Sequence, residues 1–93
     1  MSSGHISHVE AESGKTHELK TVQPYFDEVL SGRKAFECRL DDRGFQVGDY
    51  LMLREFVDGY YTGRQHLRRV VYILRDDFVG LQRGYCIMGL GRP

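Results

Sequence analysis

A short helix-like segment that leads directly into a charged strand constrains the fold of this chain more than any other feature. Its apolar stripe has three members at positions i, i+3 and i+4: Phe26, Val29 and Leu30. Pro24 suits the first turn of a helix, where its missing N–H costs nothing, and Gly32 suits a left-handed cap at the other end. The sequence therefore predicts one principal helix over residues 24–31, with a strand beginning almost at once.

The run over residues 34–40 alternates apolar and polar side chains, which is the period of a strand with one face against a core. We expect its apolar members to face inwards: Phe36, Cys38 and Leu40. Glu37 and Arg39 then project together from the other face, and Lys34 lies at the strand entrance, where it can join them. Two cations and an anion beside a helix end predict a site for a polar, partly anionic ligand, although a solvated strand face would show the same pattern.

Four other segments have the composition of strands: residues 16–21, 50–57, about 60–74 and 85–90. In the first of these Leu19 is expected to face inwards. The third is a return strand from about Tyr60 to Leu74 that is expected to loosen at Thr62-Gly63. Asp58-Gly59 is the strongest hairpin signal in the chain. We predict an α+β domain over residues 16–93, a small β-barrel of five or six mostly antiparallel strands with one principal helix, closed so that no edge is exposed. Residues 1–15 are predicted to be a disordered tail.

The charge balance limits the kind of partner. The chain carries 13 Lys/Arg and 13 Asp/Glu in 93 residues, so its net charge is zero. Residues 1–58 hold 7 Lys/Arg against 11 Asp/Glu, whereas residues 59–93 hold 6 Arg against 2 Asp. A neutral domain lacks the basic footprint of a general nucleic-acid binder, so any contact with nucleic acid is expected to be local and weak.

Neither a membrane nor a metal is indicated. No apolar run approaches the ~18 residues of a membrane span, and the polar N-terminus lacks a secretory signal, so we expect a cytoplasmic protein. We also expect it to be a monomer. Cys38 and Cys86 are expected to be buried free thiols. The candidate soft ligands lack the spacing of a zinc site, so we expect no metal or cofactor: His5, His8, His17, His66, Cys38 and Cys86.

The charged strand and its helix resemble a known pattern. Gly32-x-Lys34-x-x-Glu37-x-Arg39 after a Pro-initiated helix is similar to the G-x-K-x-x-E-x-R signature of ASCH domains. A fuller string over about residues 16–90 resembles one phage and bacterial ASCH-like family of unknown function: His17-x-Leu19-Lys20, Pro24-Tyr25-Phe26, Phe45-x-Val47-Gly48-Asp49, Leu53-Arg54-Glu55 and Tyr61-Thr62-Gly63-Arg64.

This resemblance implies a barrel like that of the PUA RNA-binding domain, with a cleft between the helix and the strands. ASCH domains have been proposed to bind RNA or nucleotides there. One branch hydrolyses the acetyl amide of acetylated cytidine with the signature lysine, a nearby threonine and a later glutamate. Lys34 matches that lysine, but Glu37 stands in place of the threonine, and residues 59–93 contain no glutamate.

Three hypotheses follow. In the first, which the motif favours, the cleft is a binding module for RNA or a nucleotide: Lys20, Lys34 and Arg39 meet phosphate, and Glu37 accepts from a base amine. In the second, the domain is an amidohydrolase of a modified nucleoside in which Lys34 acts as base or nucleophile and Glu37 shuttles protons. A hydrolase needs a second acid or base, for which Asp49 and Glu55 are the other candidates. In the third, the domain is a protein-interaction barrel.

Overall fold

The computed structural model describes residues 14–75 and 79–93, which form one sheet and one short helix. In chain order the elements are β1 (Thr16–Thr21), α1 (Tyr25–Leu30), β2 (Phe36–Leu40), β3 (Tyr50–Val57), β4 (Tyr60–Leu74) and β5 (Tyr85–Gly91). The predicted α+β class, with five strands and one helix, is confirmed. Most of the predicted tail lies outside the described residues. Lys15 is bonded to the domain, since its carbonyl accepts from Tyr50 N at 2.7 Å.

The five strands curl into a half-barrel with the order β1-β3-β4-β5-β2. Three of the neighbouring pairs are antiparallel, as predicted, and β1 runs parallel to β3. Among the described residues no backbone ladder joins the edge strands β1 and β2, so the predicted closure by strand pairing is wrong. Arginine side chains bridge this gap instead: Arg39 Nη2 donates to Lys20 O at 2.9 Å, and Arg43 Nη1 donates to Glu18 O at 2.7 Å.

The hairpin between β3 and β4 follows the sequence closely. Asp58 and Gly59 have φ angles of 51° and 86°, the positive values that a tight two-residue hairpin turn requires. The register then shifts, because Arg54 pairs with Gln65 whereas Phe56 pairs with Tyr61. The predicted loosening at Thr62-Gly63 is therefore a β-bulge, after which β4 continues without a break.

The core lies between the concave face of the sheet and α1. Phe26 and Val29 are 0% and 1% exposed, and they anchor the helix as the predicted stripe requires. Leu30 is 43% exposed, so that part of the stripe is wrong. A helix of only six residues has fewer than two turns, and it presents few side chains to the sheet. The core residues are Leu19, Phe26, Val29, Phe45, Leu51, Leu53, Val70, Cys86 and Met88.

Strand β2 faces the opposite way from the prediction. Phe36, Cys38 and Leu40 lie on the exposed face, and Glu37 on the inner face is only 3% exposed. The reason is that the inner side of β2 borders a polar cleft, where ion pairs take the place of apolar packing. The prediction of buried thiols is therefore wrong for Cys38, although both cysteines are free and Cys86 is buried.

Candidate functional site

A cleft of about 400 Å³ opens between the edge strands β1 and β2, beside the helix. Its lining comes from β1, α1 and the signature segment: Lys20, Thr21, Val22, Tyr25, Lys34, Glu37, Cys38 and Arg39. All four predicted ligand-binding residues are in this set. The same lack of strand pairing that leaves the barrel open therefore creates the cleft.

Glu37 lies at the centre of the charged cluster. Its Oε2 accepts a hydrogen bond from Lys34 Nζ at 3.1 Å, and its Oε1 accepts one from Arg39 Nε at 2.9 Å. The carboxylate side chain is 4% exposed, whereas the Lys34 and Arg39 side chains are 18% and 27% exposed. Because each oxygen already contacts one cation, Glu37 positions both cations. Its predicted role as an acceptor from a base amine stays a prediction.

Arg39 is held on one side and open on the other. Besides Nε, its Nη2 group donates to Lys20 O at 2.9 Å and lies 3.5 Å from Thr21 Oγ1. A guanidinium has five N–H donors, and within the described part of the chain the Nη1 group has no hydrogen-bond acceptor. Arg39 therefore presents a fixed pair of N–H groups that a ligand can use.

Lys34 is oriented by contacts with three residues, two on β2 and one on α1. Its Nζ donates to Phe36 O at 2.8 Å as well as to Glu37, and it lies 4.8 Å from the Phe36 ring centroid and 5.8 Å from that of Tyr25. An ammonium has three N–H donors, so one is left beyond the two bonds to protein oxygens. Tyr25 is 52% exposed at the rim, next to this ammonium.

Lys20 contributes to the cleft differently from the prediction. Its neighbours Leu19 and Thr21 are buried, so the strand alternation directs the Lys20 side chain to the outer face of β1. Its carbonyl accepts from Arg39, while its ammonium lies 4.4 Å from the ring centroid of Phe56. Lys20 therefore joins the cleft wall to the convex surface of the sheet.

Asp49 lies apart from the cleft. Its carboxylate accepts from His17 Nε2 at 2.7 Å and from the backbone N–H groups of Lys15 and Gln46 at 3.1 and 3.0 Å. These contacts fasten the start of β1 to the loop before β3, so the geometry assigns Asp49 a structural role. Among the described residues, no three His, Cys, Asp or Glu side chains form a group that could hold a metal.

Glu55, the second candidate acid or base, also lies outside the cleft lining. It accepts from Thr62 Oγ1 at 2.7 Å and from Gln23 Nε2 at 2.5 Å, and Arg64 Nη1 lies 3.4 Å away. The hydrogen bonds from Thr62 and Gln23 lower the pKa of Glu55 from its ordinary value, although burial opposes them. The β-bulge brings Thr62 and Arg64 to this carboxylate, which thereby ties the hairpin to the residues preceding α1.

Glu55→Gln is expected to be less stable than the wild type at neutral pH and to approach it in acid. Because the folded pKa of Glu55 is lowered, the stability that its charge provides is present above the ordinary value of 4.5 and is lost as pH falls through the folded pKa. Urea unfolding from neutral pH to about pH 3 measures the difference. A difference that stays constant over this range would mean that the charge contributes nothing, and Glu18→Gln controls for removal of an exposed carboxylate.

Sequence reasoning missed Thr21 and Tyr25 as cleft residues. Thr21 is buried and its hydroxyl donates to Leu19 O, which leaves its oxygen facing Arg39. Its position could have indicated that Tyr25 lies at the cleft: it follows Pro24 and precedes Phe26, so it falls outside the apolar stripe of the helix.

No helix in the described ranges is long and apolar enough to span a bilayer.

The fold and the cleft define a class of protein: a small α+β half-barrel whose two sheet edges flank a cleft lined by cations. Residues 16–90 match the family model described as "Domain of unknown function (DUF3850)", and the chain belongs to that family. It is 40% identical over 74 residues to the "Uncharacterized 12.9 kDa protein in GpA 3'region" of Escherichia phage P2, an alignment that covers 74% of this chain and 68% of the relative.

Proposed function

We propose that this domain is a binding module of the ASCH/PUA-like type whose cleft holds one nucleotide or one nucleotide unit of an RNA strand. The observation that carries the proposal is the buried Glu37, which holds Lys34 and Arg39 with N–H donors to spare in a cleft of about 400 Å³. This volume lies in the range of about 300–1,000 Å³ typical of small-ligand pockets.

The charges of the cluster support an anionic ligand. Two cations and one carboxylate leave a surplus of one positive charge, and a phosphate oxygen can accept from the Nη1 group of Arg39 and from Lys34. The exposed ring of Tyr25 at the rim offers a surface on which a base can stack. The Arg39 guanidinium is held in place before binding, because it is bonded to Lys20 of β1 and to Glu37 of β2.

Binding is favoured over hydrolysis by where the other carboxylates lie. A hydrolase needs a second acid or base beside Lys34. Asp49 and Glu55 are absent from the cleft lining and are engaged by other side chains, and both oxygens of Glu37 contact cations. A cytoplasmic location, a monomeric state and independence of any cofactor belong to the same proposal.

Titration of the ¹⁵N-labelled domain with uridine monophosphate tests the proposal. We expect shifts of the amide signals of residues 34–39 with a dissociation constant in the micromolar range or weaker, since few phosphate contacts are available. Arg39→Ala and Lys34→Ala should each weaken binding, because each removes a proposed phosphate donor. Arg43→Ala is the matched control: it also removes an arginine that bridges the sheet edges, but Arg43 does not line the cleft.

Two results would contradict the proposal. If millimolar uridine and adenosine monophosphates leave these signals unmoved, the cleft does not bind nucleotides. If acetylated cytidine is then hydrolysed and Lys34→Ala abolishes turnover, the amidohydrolase hypothesis is the correct one. If neither ligand has an effect, the protein-interaction barrel remains.

A further inference from the structure

Four side chains on the outer face of β1, β3 and β4 form a contiguous set beside the cleft, here called the cation–aromatic strip: Lys20, Phe56, Tyr61 and Arg54. Lys20 Nζ lies 4.4 Å from the Phe56 ring centroid, and Arg54 Cζ lies 4.0 Å from that of Tyr61. The two rings meet edge to face with centroids 5.0 Å apart. Each cation therefore lies over one ring.

The strip is continuous with the cleft. Lys20 is paired with Arg54 across β1 and β3, and Phe56 is paired with Tyr61 across β3 and β4. The Lys20 residue that begins the strip is also the residue whose carbonyl holds Arg39 in the cleft. From this wall the strip runs towards the β3–β4 hairpin, where Tyr61 is 45% exposed and Tyr60 is 76% exposed.

Alternating cations and aromatic rings have a defined binding chemistry. Single-stranded nucleic acid is held by cations that meet its phosphates and by rings or guanidinium planes on which its bases stack. Cross-strand packing alone explains the contact between the Phe56 and Tyr61 rings. It does not require that a cation also lies over each ring, next to a cleft that contains two further cations. A paired duplex would not offer its base faces to such a surface.

We infer that the cation–aromatic strip extends the cleft and that the ligand is a single-stranded RNA segment of several nucleotides, not a free nucleotide. This inference rests on the proposed function, because the first nucleotide unit lies in the cleft. The following units run over Lys20, Phe56, Tyr61 and Arg54. The strip therefore determines the length of RNA that the domain binds, whereas the cleft determines whether it binds at all.

One carboxylate opposes this use of the strip. Glu18 Oε1 lies 3.2 Å from Arg54 Nη1, and the Glu18 side chain is 67% exposed. A phosphate near Arg54 has to compete with this carboxylate and is repelled by it. Removing the charge of Glu18 should therefore strengthen binding of RNA, a direction that loss of a merely structural ion pair would not produce.

The experiment compares hexauridylate with uridine monophosphate on the same protein. For the wild type we expect the hexamer to bind at least about tenfold more tightly, beyond the roughly sixfold gain from six equivalent units. Its log–log salt slope should be about −1.5 to −2, steeper than that of the monophosphate, which carries no condensed counterions to release. Arg54→Ala should weaken binding of the hexamer about five- to tenfold, because stacking and a charge are lost. Glu18→Gln should strengthen binding of the hexamer about two- to threefold. Neither substitution should change binding of the monophosphate.

Arg69→Ala is the matched control. Arg69 Cζ lies 5.2 Å from the ring centroid of Tyr50, its pairing partner on β3, so this variant loses the same charge and the same kind of ring contact elsewhere in the ladder. It should leave hexamer binding unchanged. The inference is overturned if the hexamer binds no more tightly than six equivalent units predict, or if Arg54→Ala and Arg69→Ala weaken it equally. Failure of both ligands to bind would instead overturn the proposed function.

Discussion

Replacing Glu37 with alanine is expected to lower the free energy of unfolding by about 1–3 kcal/mol and to remove nucleotide binding. The Glu37 side chain is 4% exposed and contacts Lys34 and Arg39, so its loss leaves two partly buried cations facing each other. Their repulsion displaces the N–H donors that a phosphate would meet. Stability and binding should therefore be lost together.

Urea unfolding and titration with uridine monophosphate measure the two effects of this change. Glu37→Gln retains the side-chain volume but points an amide N–H₂ group at one of the cations, so it should also be less stable than the wild type. Glu28→Ala is the control, since Glu28 pairs with the exposed Arg33 and its loss should change little. An unchanged denaturant midpoint for Glu37→Ala would show that the cluster is an ordinary solvated strand face.

Phe26→Ala is expected to have the largest effect on stability, a loss of about 3–5 kcal/mol. Phe26 is 0% exposed and anchors the six-residue helix α1 to the sheet, and the Arg64 guanidinium lies 5.1 Å from its ring centroid. A helix this short has little stability of its own and depends on packing. Its detachment would also remove Tyr25, one wall of the cleft.

The neighbouring residue gives a sharp comparison for this prediction. Tyr25→Ala changes a side chain that is 52% exposed, so it should cost little stability and yet weaken nucleotide binding through lost stacking. Thermal unfolding monitored by circular dichroism separates the two variants, at about 4–8 °C per kcal/mol for a domain of this size. Equal melting temperatures for Phe26→Ala and the wild type would mean that the helix is held in another way.

Local patterns were sufficient for the elements themselves. The predicted inward orientation of Leu19 on β1 is confirmed, and Asp58-Gly59 specified the hairpin because two successive positive φ angles suit only a few residue types. The parallel pairing of β1 with β3 was not predicted, since it joins segments about 34 residues apart and no local signal encodes it.

The orientation of β2 shows a limit of alternation. The pattern divides a strand into two faces, but it does not say which face is inside. The apolar face of a strand is usually expected to pack against the core. This expectation fails for β2, because Glu37 and its two cations occupy the inner side of the strand. The clustering of Lys34, Glu37 and Arg39 could be predicted from their spacing. The bond from Arg39 to Lys20, 19 residues away, could not.

The arginine bridges between the sheet edges have a consequence for self-association. An unpaired strand edge is a template on which another chain can add a strand and begin to aggregate. In this domain two carbonyls of the β1 edge, those of Glu18 and Lys20, are occupied by the guanidinium groups of Arg43 and Arg39. The arginines place positive charge along this edge, which disfavours an added strand. The Nη2 group of Arg39 thus occupies a carbonyl of the β1 edge, while its Nη1 group has no protein acceptor among the described residues.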